Sequence, residues 1–111
     1  MSEEGKPRWS TPRVSPRYAM DQRLIIKAGA TLHGRTKDIS ETGLGATVAG
    51  ELKMHDSVEL EFYLPGSLDP QRFLAEVRYR RGFQYGFCFL NATDQQKSMI
   101  REAALHLKVA P

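Results

Sequence analysis

Apolar and polar residues alternate through most of this chain. Leu24, Ile25 and Ile26 open a first extended run over residues 24–28, and Gly29 turns it. A second run covers 31–39, with a weak interior at Gly34 where a bulge would fit. A third covers 43–48. Residues 57–64 alternate most cleanly, with Val58, Leu60, Phe62 and Leu64 to one side and Glu59 and Glu61 to the other. Residues 73–80 alternate again, which predicts Phe73, Ala75, Val77 and Tyr79 inward. Arg81 and Gly82 turn the chain, and 83–90 returns as the hairpin partner. The period then changes. Thr93 and Gln96 are spaced as a capping box, and Met99, Ile100, Ala103, Ala104 and Leu107 recur at helical spacing. Six short strands in hairpin order and one terminal helix predict a mainly all-β chain: a small six-stranded antiparallel barrel with a C-terminal α-helix over one end or face.

The first 20 residues differ in texture. Pro7, Pro12, Pro16 and Gly5 punctuate them, and their apolar side chains show no period. Proline removes a backbone donor and disfavours helix at the residue before it. The expected organisation is an extended N-terminal arm over 1–20 and a barrel with its helix over 21–111. Trp9 is the arm's one large aromatic and would dock it on the barrel or stack on a ligand base.

A length of 111 residues supports one compact domain. No apolar run approaches the roughly 18 residues needed to span a bilayer. The N-terminus lacks the apolar centre of a signal peptide. The expectation is a cytoplasmic protein without membrane insertion. Cys88 lies in the run Phe87-Cys88-Phe89-Leu90 and reads as a small buried hydrophobe. The net charge is only +3, so the distribution matters more: Lys6, Arg8, Arg13, Arg17 and Arg23 cluster near the amino end, and Arg78, Arg80 and Arg81 form a second group. An anionic partner fits the first group, whereas the second, taken alone, reads as a solvated surface.

Catalytic chemistry finds little support. His33, His55 and His106 are far apart, and no pair has metal-ligand spacing. There is no glycine-rich phosphate loop leading into a helix. No enzyme, no metal and no cofactor is expected. Binding chemistry concentrates elsewhere. In Asp38-Ile39-Ser40-Glu41-Thr42-Gly43, an extended backbone points Asp38 and Ser40 to one side and Ile39 to the other. Gly43 allows a positive φ or a close approach. Upstream, Arg13-Val14-Ser15-Pro16-Arg17 sets two guanidinium groups four residues apart on a proline-stiffened segment.

These two stretches fit the patterns RxxxR and DxSxxG, in that order. With the barrel pattern after them, the chain from about residue 10 to 107 resembles the PilZ domain family, bacterial receptors for cyclic diguanylate (cyclic di-GMP). The resemblance implies that Arg13 and Arg17 wrap the dinucleotide against the surface from Asp38 to Gly43, with Asp38, Ser40 and Gly43 as further ligand contacts. Arg8 and Trp9 are possible additional ones. The chemistry agrees independently, because an arginine fork matches phosphate oxygens or guanine O6 and N7, and its face stacks on a base. The pattern departs at Pro12, where many members carry another arginine; that position bears on whether one ligand or a stacked pair is bound. The implied function is a stand-alone receptor and adaptor that passes the signal to a downstream effector protein. The alternatives are a barrel of this family that acts only in protein interaction and binds no nucleotide, and a small basic barrel that binds nucleic acid. DNA is not expected as a partner.

Overall fold

The structure is a computed structural model that describes residues 15–111. In chain order its elements are β1 (Tyr18–Ala19), β2 (Arg23–Ala28), β3 (Ala30–Ile39), β4 (Gly43–Ala49), β5 (Ser57–Phe62), β6 (Gln71–Arg81), β7 (Gln84–Phe89) and α1 (Asp94–Ala104). Every pairing is antiparallel. Around the sheet the order is β3, β2, β5, β6, β7, β4, and β4 pairs with β3 again to close a six-stranded barrel. The short β1 adds to the carboxyl end of β3 through Tyr18↔Ile39 and Ala19↔Asp38.

Alternation decides which face is inside. Leu24 and Ile26 of β2, Leu44, Ala46 and Val48 of β4, Val58, Leu60 and Phe62 of β5, Phe73, Ala75 and Val77 of β6, and Tyr85, Phe87 and Phe89 of β7 form one buried core. Within it Phe73 stacks between Phe62 and Phe89, with ring centroids 5.5 and 4.2 Å away. Closure leaves no long unpaired edge among the described strands, so the ladder satisfies its own backbone groups.

The helix begins where its cap predicts. The Thr93 hydroxyl accepts from the Gln96 N–H at 3.0 Å, and the Gln96 side-chain carbonyl accepts from the Thr93 N–H at 3.1 Å. Ile100 and Ala103 are buried in the core, and Met99 and Leu107 pack partly against it. Gln96 donates to the Arg72 carbonyl at 2.9 Å, and Arg101 to Glu41 at 3.0 Å. The helix therefore sits at the barrel end formed by the β3–β4 turn and the start of β6. No helix among the described residues is long and apolar enough to cross a membrane.

Two local expectations change. The irregularity in β3 falls between Thr36 and Asp38 rather than at Gly34, whose backbone pairs regularly with Val48. A second irregularity, between Val77 and Tyr79 in β6, turns Tyr79 outward to half exposure, against the inward position that strict alternation predicts. A bulged residue breaks the two-residue period and re-aims the side chains after it.

Candidate functional site

The site lies on the outer face of the barrel, across four neighbouring strands. The register carries Asp38 of β3 to Gly45 of β4, Gly45 to Gly86 of β7, and Gly86 to Tyr79 of β6. These four residues make one row across the sheet, with two glycines in the middle and a larger side chain at each end. At about 4.8 Å per strand the row spans roughly 14 Å.

The glycines are a steric requirement. A Cβ on Gly45 would stand 2.7 Å from Asp38 Oδ1, and one on Gly86 would stand 2.5 Å from Cδ1 of Tyr79. Asp38 and Tyr79 lean over the bare backbone from opposite ends, leaving a shallow trough floored by main chain. A cleft of about 450 Å³ opens here, lined among others by Arg17, Lys37, Asp38, Arg78, Tyr79 and Cys88.

Each bulge serves this cleft. In β3, Thr36 and Ile39 are buried while the two residues between them, Lys37 and Asp38, both line the cleft. In β6, Val77 is buried while both Arg78 and Tyr79 line it. Regular strands would send one member of each pair inward.

Arg17 reaches Asp38 from the start of β1. Its Nε and Nη2 donate to the same oxygen, Asp38 Oδ1, at 3.0 and 2.8 Å. The pair is part-exposed, so it adds at most about 1 kcal/mol to stability, and its value lies in geometry. Among the described residues Asp38 Oδ2 and Arg17 Nη1 have no hydrogen-bond partner. Arg78 is held differently. Its Nε donates to Glu76 Oε1 at 3.0 Å, while Glu76 Oε2 lies 3.2 Å from Nδ1 of His55. The Arg78 hydrogen bond, then the His55 one, hold the Glu76 carboxyl below its ordinary pKa. Among the described residues three cationic side chains, Arg17, Lys37 and Arg78, face the cleft against one carboxylate, that of Asp38. An anion of charge near −2 matches that balance.

The two expected stretches are only partly in view. Arg17 and Asp38 meet. Gly43 lines the cleft, and its role is close approach, since a Cβ there would run into the Phe87 carbonyl oxygen. Ser40 is fully buried. Its hydroxyl accepts from the Thr42 N–H at 3.2 Å and lies 3.1 Å from the Thr42 hydroxyl, and its own N–H donates to the Gly43 carbonyl. β3 ends at Ile39, so Ser40 already belongs to the turn and ties it. Arg8, Trp9 and Arg13 lie outside the described residues. Lys37, Gly45, Arg78, Tyr79 and Gly86 also line the cleft, and the sequence did not assign them to it: Arg78 read as solvated surface and Tyr79 as inward. No group of three or more metal-type side chains occurs among the described residues.

The family model described as PilZ domain matches residues 11–105. The chain belongs to the PilZ domain family. Solved structures agree in fold. The PilZ domain with c-di-GMP of YcgR from Escherichia coli superposes with a TM-score of 0.73 at 20% identity, covering 87% of this chain and 92% of that one. The Bacillus subtilis inhibitor of motility (MotI/DgrA) gives a TM-score of 0.73 at 14% identity; 87% of this chain is covered, which spans 51% of that one. The PilZ domain of CeSA from a cellulose-synthesizing bacterium gives 0.63 at 15% identity, covering 81% and 95%. No curated protein matches the chain in sequence. In this PilZ domain Arg17 and Asp38 stand together at one end of the glycine-floored trough.

Proposed function

We propose that this PilZ domain is a cyclic di-GMP receptor that acts as an adaptor for a downstream effector protein. The observation that carries the reading is the Arg17–Asp38 pair at the end of a trough whose side chains present three cations and one carboxylate. The dinucleotide offers two phosphates for the arginines and guanine N–H groups for a carboxylate. Arg17 supplies a fork for a phosphate or a guanine edge, and Asp38 accepts from guanine through its open oxygen. Gly43 lets β4 lie close against β7 beneath the cleft, and Ser40 holds the turn that presents Asp38 and Gly43. Arg13 supplies the second guanidinium of the motif. The family membership and the c-di-GMP named with the YcgR domain support this reading.

The adaptor part rests on the remaining surface. Tyr63 and Phe83 are about half or more exposed and flank an open, largely apolar groove on the outer face of β2, β3 and β4. Such a surface suits contact with another protein. The reading places the domain in the cytoplasm, where the nucleotide is made, and gives it no catalytic step.

The test is a thermal-unfolding series with cyclic di-GMP. A ligand that binds the folded state raises the midpoint with concentration. The native chain is expected to be stabilised, whereas Arg17→Ala and Asp38→Ala are expected to unfold near the unliganded native midpoint and not respond. Equal stabilisation of all three by the dinucleotide would remove Arg17 and Asp38 from the site.

A further inference from the structure

Resting on that cyclic di-GMP reading, we propose that residues 108–110 are a brace that positions Arg17 for the ligand, with the Ala110 N–H as the positioning group.

Three observations carry this. First, Arg17 lies one residue before β1, where pairing with β3 has run out: the register ends at Tyr18↔Ile39, and the chain turns from Ser40. The Ala110 N–H donates to the Arg17 carbonyl at 2.8 Å, and among the described residues this is the one main-chain hydrogen bond that Arg17 makes. Second, the same segment takes the other edge of β1. The Ala19 N–H donates to the Lys108 carbonyl at 2.7 Å, and Tyr18 bridges Val109 in antiparallel sense. β1 is thereby a middle strand between β3 and residues 108–110. It is only two residues long, and a ladder that short frays when it is held from one side. Third, the brace continues an anchored element. The N–H groups of Leu105, His106 and Leu107 donate to the carbonyls of Glu102, Ala103 and Ala104, and Ile100 and Ala103 of α1 are buried in the core.

Side-chain packing does not fix this contact. Val109 is 69% exposed, and a cleft of about 600 Å³ opens between residues 19–22 and 106–108. The brace holds β1 by main-chain hydrogen bonds beside an open gap. What it fixes is the origin of the Arg17 side chain, whose Nε and Nη2 both meet Asp38 Oδ1. A guanidinium set in place before the ligand arrives needs less ordering when it binds, so the brace acts on affinity through Arg17.

The test compares the native chain with Ala110→Pro, which removes the N–H, and Ala110→Ser, which keeps it. Thermal midpoints confirm that all three fold. The first readout needs no ligand: hydrogen exchange of the Arg17 Nε–H in nuclear magnetic resonance, its signal assigned by its loss in Arg17→Lys. Exchange is expected to be roughly fivefold or more faster in Ala110→Pro and native-like in Ala110→Ser. The second readout is titration calorimetry with cyclic di-GMP. Ala110→Pro is expected to bind roughly tenfold more weakly and Ala110→Ser within about twofold of the native chain. A merely structural role for Ala110 would lower the midpoint and leave the Arg17 proton as it was. Equal exchange in the native chain and Ala110→Pro, or equal affinity in the two, would overturn the brace while leaving the receptor reading intact. No binding by the native chain would overturn the receptor reading, and the exchange comparison would still decide whether residues 108–110 hold Arg17 on Asp38.

Discussion

Gly43 and Gly45 are two residues apart on one strand, yet a methyl group would act on different properties at each. At Gly43 it meets the Phe87 carbonyl oxygen, which is backbone and cannot step aside. Gly43→Ala is expected to force β4 from β7 and destabilise the fold by about 1–3 kcal/mol, read in urea denaturation. At Gly45 it meets the Asp38 carboxylate, the end of a side chain that can turn. Gly45→Ala is expected to keep most of the stability but displace Asp38 from Arg17, lowering cyclic di-GMP affinity about tenfold in a titration. Glu76 permits a pH prediction. Its carboxyl is held below the ordinary range by hydrogen bonds from Arg78 and His55. A depressed carboxyl contributes stability above its unfolded pKa and loses that contribution as pH falls through the folded value. Glu76→Gln is therefore expected to lose less stability than the native chain across that acid interval, and a denaturation series at stepped pH checks this. At this scale the sequence revealed Arg17, Asp38 and Gly43 through their spacing. It did not reveal Arg78, because an arginine in a basic run looks like any solvated arginine until a bulge brings it into a cleft.

The strands were legible because alternation and burial share one cause. Val58, Leu60 and Phe62 sit inside and Glu59 and Glu61 outside since one face of β5 meets the core. The helix was legible from its cap. Thr93→Ala removes the hydroxyl of the capping box and is expected to cost about 0.5–2 kcal/mol in denaturation while leaving ligand affinity unchanged, because the cap lies outside the trough. The bulges were not legible. An extra residue in a strand depends on how two strands meet across the barrel, and neither Lys37 nor Arg78 carries a local signal for it. Alternation thus placed Tyr79 inward, and the structure places it at the rim of the site. Ser40 has a similar cause, since the two-residue period stops at Ile39 and a turn begins.

At the scale of the whole molecule, the barrel provides a rigid wall for the site. Asp38, Gly45, Gly86 and Tyr79 come from four strands, and only the closed sheet sets them in one row. β1 ties the trough to the C-terminal residues: the Ala19 N–H donates to the Lys108 carbonyl and the Ala110 N–H to the Arg17 carbonyl. The central claim is that this trough binds cyclic di-GMP. Isothermal titration of the purified native chain with cyclic di-GMP, beside a folded Arg17→Ala variant, tests it most directly. The account predicts saturable heat from the native chain, with a stoichiometry that tells one ligand from a stacked pair, and loss of roughly tenfold or more in affinity for each charge-assisted hydrogen bond that Arg17 no longer makes. A folded native chain that gives no binding heat at high micromolar ligand, or an Arg17→Ala variant that binds as tightly as the native chain, would contradict it.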